Sequence, residues 1–141
     1  MHKGKNKMQA KYLENEDDND KNYKNSLKKL AKESLSFQEV LILTNDKDET
    51  IRLKALQRLC PCRVGDEYDL FWKRIFEMAD DPSPKIRYQV LHNMCDGSPE
   101  SMESKVVETL EKFNRDPDPD VKRKAHKVMA SYLRTGKWNI L

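Results

Sequence analysis

The chain has 141 residues, 37% hydrophobic and 36% charged, with 27 basic against 24 acidic side chains and a formal charge of +3. Such a chain has the length of one small domain with a thin, elongated core, and its mild charge does not by itself imply nucleic-acid binding, so any electrostatic argument rests on where the charges lie. No run approaches the roughly 18 apolar residues of a membrane span, the start Met1-His2-Lys3-Gly4-Lys5-Asn6-Lys7 has no signal-like apolar stretch, and three cysteines, an odd number, fit a reducing compartment. A soluble cytoplasmic protein is expected.

Residues 1–25 are rich in Lys, Asn, Asp and Glu and offer only Met8, Ala10, Tyr12, Leu13 and Tyr23 for burial, so a disordered polar N-terminal tail is expected. Its acidic run from Glu14 to Asp20 lacks the turn glycine and the closing Glu of a calcium loop and reads as a solvated charge run. Order is expected from Ser26, with Leu27 and Leu30 as its first apolar positions. Ser36-Phe37-Gln38-Glu39 is a capping-box pattern that either opens a second helix or sits inside one bent helix, and Phe37, Val40, Leu41 and Thr44 recur at helical spacing. Asp48 is the expected N-cap of the next helix, with Ile51, Ala55, Leu56 and Leu59 as its apolar stripe.

Cys60-Pro61-Cys62-Arg63-Val64-Gly65 interrupts the pattern. Asp66 then caps a helix whose expected apolar face is Leu70, Trp72, Ile75, Phe76 and Ala79, with Trp72 in the core. Ser83 as cap and Pro84 in the first turn open a helix that runs to Cys95. Gly97 ends that segment, Ser98-Pro99 begins the next, and Met102, Val106, Val107, Leu110 and Phe113 share a face. Asp118-Pro119 opens the last helix, from Asp120 to about Thr135, and Gly136 stops it. Trp138, Ile140 and Leu141 are expected to fold back over the exposed end of the last helix pair.

Three stretches superimpose at a fixed interval. Asp46, Ile51 and Arg52 recur as Asp81, Ile86 and Arg87 and again as Asp116, Val121 and Lys122, 35 residues apart, and Phe37, Trp72 and Val107 with Val40, Ile75 and Leu110 carry the register into the first helices. A helix pair repeated at this period forms an α-solenoid, because each unit can bury its stripe only against a neighbour. The expected fold is all-α, a solenoid of three helix pairs in residues 26–60, 66–95 and 99–135 of a domain spanning 26–141, with a C-terminal tail at 136–141.

Those residues resemble the HEAT-repeat family. Its signature is an Asp in the turn between two helices, a branched apolar residue five positions on, and an Arg directly after it. The resemblance covers about residues 36–135. Asp96-Gly97-Ser98-Pro99-Glu100, Asp116-Pro117-Asp118-Pro119 and Arg134 to Leu141 also look like small bacterial-type HEAT-repeat proteins of unassigned role. The resemblance implies a structural ladder of hydrogen bonds between adjacent units, made by Asp46, Asp81 and Asp116 with Arg52, Arg87 and Lys122. Lys122 lacks the planar fork of arginine, which weakens that rung. The resemblance also implies that the second helix of each pair lines a concave surface.

On those second helices the basic residues are Arg52, Lys54 and Arg58, then Lys85 and Arg87, then Lys122, Arg123, Lys124, Lys127, Arg134 and Lys137, and the stretches 50–60, 85–95 and 121–137 contain no Asp or Glu. The first helices carry the acids, among them Asp66, Glu67, Asp69 and Glu77, then Glu100, Glu103, Glu108 and Glu111. A basic curved surface attracts an acidic peptide or a phosphate backbone. Tyr88 and His92 alone interleave with these charges as aromatic groups, too few to favour base stacking. The expected function is a non-catalytic interaction scaffold without a cofactor, binding an acidic protein or peptide through Lys54, Arg58, Tyr88, His92, Arg123, Lys124 and Lys127. A nucleic-acid ligand on the same face is the alternative. The plainer account is that Arg52, Arg87 and Lys122 serve the ladder and the other cations keep an exposed helix soluble. The absence of a carboxylate on these helices argues against a base-excising enzyme, and no bilin-lyase motif is present.

Cys60, Cys62, His92 and Cys95 would complete a tetrahedral zinc site. Against zinc, Cys-Pro-Cys is a short spacing, and Cys60 and Cys95 fall in register with Ala130, as small buried residues would. His126 stands in register with Leu56 and Leu91 and is expected to pack half-buried. Three units leave two ends to cover, and both monomer and homodimer are compatible with that.

Overall fold

The computed structural model describes residues 20–31, 35–59 and 68–141, and every extended element among them is a helix. Residues 20–31 form α1, followed by α2 (Phe37–Leu43), α3 (Glu49–Arg58), α4 (Tyr68–Glu77), α5 (Pro84–Met94), α6 (Glu103–Phe113) and α7 (Pro119–Thr135). Short 3-10 turns at Met78–Asp80 and Glu100–Met102 flank α4 and α6. No described helix is long and apolar enough to cross a membrane.

Local chemistry explains the boundaries. The Ser36 hydroxyl accepts the Glu39 N–H at 3.2 Å and donates to the Glu39 carboxylate, so the capping box opens a helix of its own. Asp48 accepts from the Thr50 and Ile51 N–H groups at 2.8 and 3.2 Å, and Asp118 from those of Asp120 and Val121 at 3.1 and 3.0 Å. Ser83 occupies the corresponding position before α5 without capping it. Its hydroxyl donates instead to the Glu49 carboxylate at 2.6 Å, joining the starts of α3 and α5. Gly136 ends α7 at φ 73°, a left-handed conformation suited to glycine.

Each of α2, α4 and α6 packs on the helix that follows it, and α3, α5 and α7 stack on one another in that order. One continuous core results, with Ile51, Ile86 and Val121, then Ala55, Val90 and Ala125, then Val40, Ile75 and Leu110 at equivalent depths. Trp72 is fully buried at the centre, while its counterparts Phe37 and Val107 in the outer pairs are half-buried.

Four expectations are corrected. Residues 20–25, assigned to the disordered tail, belong to α1, where Tyr23 and Leu27 pack against the core and Leu30 is buried; residues 1–19 lie outside the described residues. On α4 the buried face begins at Phe71, which is 0% exposed, whereas Leu70 is 50% exposed, because the face that carries Trp72 and Ile75 turns position 70 outward. His126 and Ala130 are exposed although their counterparts Leu56, Leu91 and Cys95 are buried, because no helix among the described residues covers that side of α7. The C-terminal tail folds back, but onto the turn between α5 and α6. Trp138 Nε1 donates to Ser98 Oγ at 2.6 Å, Asn139 Oδ1 accepts from the Gly97 and Ser98 N–H groups, and the Leu141 N–H bonds the Cys95 carbonyl at 3.1 Å. Among the described residues nothing covers the outer side of α7, where Leu133 is 76% exposed.

Candidate functional site

The second helices are held in register at their starts by a recurring arrangement. Asp46, Asp81 and Asp116 each accept the backbone N–H two residues on, at 2.9 Å in all three cases, which shapes the turn. Arg52 donates from Nε and Nη2 to the Asp81 carboxylate at 3.0 and 3.1 Å, and from Nη1 to the Asp46 and Lys47 carbonyls. Arg87 repeats this, donating to Asp116 at 2.9 and 3.0 Å and to the Asp81 and Pro82 carbonyls. Each arginine therefore grips its own turn and the aspartate of the next pair, in the bidentate geometry only a guanidinium offers. Lys122 is exposed and has no acid to grip among the described residues. Asp46, with no arginine before it, accepts the Ser26 hydroxyl of α1 at 3.5 Å.

Electrostatics at the inner rung follow from this geometry. Burial alone would raise the Asp116 carboxyl, but the hydrogen bond from Arg87, the Asp118 N–H and the nearby Lys112 charge hold it below the ordinary aspartate value. The hydrogen bond to Asp116 correspondingly raises Arg87 against the opposing effect of burial.

With their starts fixed, α3, α5 and α7 present a groove of about 800 Å³ along their exposed edges. Leu53 and Gln57 come from α3, Pro84, Lys85, Tyr88 and Gln89 from α5, and Asp120, Arg123, Lys124 and Lys127 from α7, with the α7 cap Asp118 at the turn end. Equivalent positions change character along it: Leu53, Tyr88 and Arg123 are 35 apart, so an apolar side chain at one end has become a cation at the other. Lys124 Nζ donates to Tyr88 Oη at 2.8 Å and lies 4.4 Å from the centre of its ring. Arg123 is paired with Asp120 at 3.2 Å, whereas Lys85 and Lys127 have no acidic partner among the described residues.

Of the residues expected to bind a partner, Tyr88, Arg123, Lys124 and Lys127 meet in this groove. Lys54 and Arg58 do not. They line a separate recess of about 380 Å³ with Leu27, Leu30 and Ala31, where α1 covers that part of α3, and Arg58 bonds the Leu30 carbonyl. Gln57 borders both spaces. His92 is half-buried beside the end of α5, its Nε2 4.0 Å from the Asp96 carboxylate, and does not line the groove. The missed liners include Leu53, Gln57, Pro84, Lys85 and Gln89, most of them in register with the cations of α7. Asp118 and Asp120, just outside the stretch read as free of acids, put two carboxylates on an otherwise basic wall.

Cys60 and Cys62 lie outside the described residues, so the zinc alternative is represented here only by His92 and Cys95. Cys95 is buried and its thiol is pushed up to about 12 by burial, which disfavours the thiolate a metal needs. No group of three or more His, Cys, Asp or Glu is arranged to hold a metal ion among the described residues.

Comparison of the chain with protein-family models, with curated proteins and with solved structures returns no match.

Proposed function

We propose that the chain is a HEAT-like α-solenoid of three helix pairs that acts as a non-catalytic interaction scaffold and holds an acidic protein or peptide segment in the groove formed by α3, α5 and α7. The observation that carries this is the cationic wall of α7, where Lys124 and Lys127 stand one turn apart and Lys127, like Lys85 across the groove, has no carboxylate partner among the described residues. A solvated face needs no concavity, whereas a basic concave surface concentrates anions. The two successive arginine rungs and the order of helix packing support the repeat assignment.

A protein ligand is favoured over nucleic acid by the character of the walls. Asp118 and Asp120 would repel a continuous phosphate backbone, and Tyr88, engaged by Lys124 at its hydroxyl end, is the one aromatic side chain among the described residues lining the groove, too few for a run of stacked bases. A non-catalytic role is supported because those same carboxylates are committed, Asp118 to capping α7 and Asp120 to Arg123.

Binding of a labelled Glu-rich peptide and of labelled single-stranded DNA, followed by anisotropy over a salt series, tests the proposal. The peptide binds, and Arg123→Glu with Lys124→Glu and Lys127→Glu weakens it at least about tenfold while helicity is unchanged. DNA binding that is tighter than peptide binding and falls steeply with salt would transfer the groove to nucleic acid.

A further inference from the structure

We infer that the segment held in this groove sets an apolar side chain beside its acidic ones, so that it is recognised by an apolar patch on α3 and α5 together with an anion site on α7. This rests on the groove being a peptide site and specifies what the peptide must contain. Leu53, Pro84 and Tyr88 form the first half: Leu53 is half-buried and Tyr88 36% exposed, both facing the groove. Lys124 and Lys127 form the second, on one face of α7 at the i,i+3 spacing that puts side chains side by side.

The boundary between the halves runs through one contact. The Lys124 ammonium donates to the Tyr88 hydroxyl at 2.8 Å and lies 4.4 Å from the ring centre, so it sits at the hydroxyl end of the ring, between the apolar patch and the anion site. A ligand carboxylate offers Lys124 a charge-assisted hydrogen bond, stronger than the neutral phenol provides. Once Lys124 turns to that carboxylate, the hydroxyl end of the Tyr88 ring is cleared beside Leu53 and Pro84, where an aliphatic side chain buries against it. The acidic residue thus prepares the apolar site, and neither alone exploits the whole groove. A polynucleotide backbone has no aliphatic side chain to place there.

Titration calorimetry on the full chain with two peptides of equal length and charge tests this. One contains only Glu and Ser, and in the other a single central Ser is replaced by Leu. The leucine peptide binds roughly tenfold more tightly, the gain expected when one aliphatic side chain leaves water. Tyr88→Ala and, separately, Leu53→Ser reduce that advantage, read as the ratio of the two peptide affinities within each variant, to less than about threefold, and Tyr88→Phe, which keeps the ring, retains it. Lys124→Gln with Lys127→Gln weakens both peptides. Equal affinity for the two peptides overturns the inference and leaves the acidic-peptide assignment standing, whereas failure of both to bind overturns the two together. This chain's own Tyr12-Leu13-Glu14-Asn15-Glu16-Asp17-Asp18 has the same pattern. If changing its Glu to Gln and its Asp to Asn raises affinity for the leucine peptide more than about threefold, the occupant is that run and a separate partner is overturned.

Discussion

Arg87 makes four hydrogen bonds, two to the Asp116 carboxylate and two to the carbonyls of its own turn, and the two side chains are only 14% and 6% exposed. Lysine at this position keeps the charge but offers no fork, leaving a mostly buried carboxylate and two carbonyls short of donors. Arg87→Lys is expected to destabilise the fold by about 2–3 kcal/mol, read as a lower urea midpoint at unchanged slope. Lys122→Arg makes the reverse change 35 residues on and is expected to stay within about 0.5 kcal/mol of the parent, because no following aspartate meets it. Asp116 adds a pH dependence. Its native carboxyl is held below the ordinary value, so its contribution is complete above about pH 4 and is lost as the pH falls through the lowered native value. Asp116→Asn should therefore flatten stability against pH on the acid side while lowering it at neutrality. An equally steep acid loss in the variant would refute this assignment. The aspartate and the arginine of each rung stood out in the sequence because they recur with the 35-residue register, whereas their pairing was what the family resemblance implied. The direction of the grip, from one turn forward to the next, became visible only with the helices stacked.

At the scale of helices, what the sequence disclosed was chiefly the punctuation. Ser36, Asp48, Asp118 and Gly136 act at helix ends through their own side chains or lack of one, so their letters carry the information. Asn93 shows what letters do not carry. Its side chain is buried in α5 and donates to the Leu56 and Leu59 carbonyls at 3.0 and 3.2 Å, closing the end of α3 from another helix. Its partners are backbone groups more than 30 residues away, and a backbone carbonyl reads the same under any residue. Asn93→Ala leaves two buried carbonyls without that donor and is expected to cost about 2 kcal/mol, with faster amide exchange concentrated at the end of α3. Uniform exchange across all helices would contradict a local cap. The exchange of Leu70 for Phe71 has a similar origin: adjacent apolar letters satisfy one helical stripe almost equally, and only the neighbour decides which points inward.

For the molecule as a whole, the register foretold which positions would share the groove better than it foretold which would be left out. Gln89 and Lys124 line it while their counterpart Lys54 does not, because α1 occupies that part of α3. Gln57 and Lys127 line it while their counterpart His92 does not. The open side of α7 is a further property of the assembled chain. His126→Leu restores the residue type of positions 56 and 91 but places it in solvent near Leu133, so no stability gain beyond about 0.5 kcal/mol is expected. Light scattering should instead show increased self-association, because the substitution adds an apolar side chain to an exposed face. A higher melting temperature with unchanged scattering would indicate that some element covers this side. The two arginine rungs also share a member, since Asp81 receives Arg52 on its carboxylate and Arg87 on its carbonyl. From the Asp46 carbonyl through Arg52, Asp81, Arg87 and Asp116 to the Asp118 N–H, polar contacts run in an unbroken line. This line ties the three turns in series and ends at the turn whose Asp118 lines the groove.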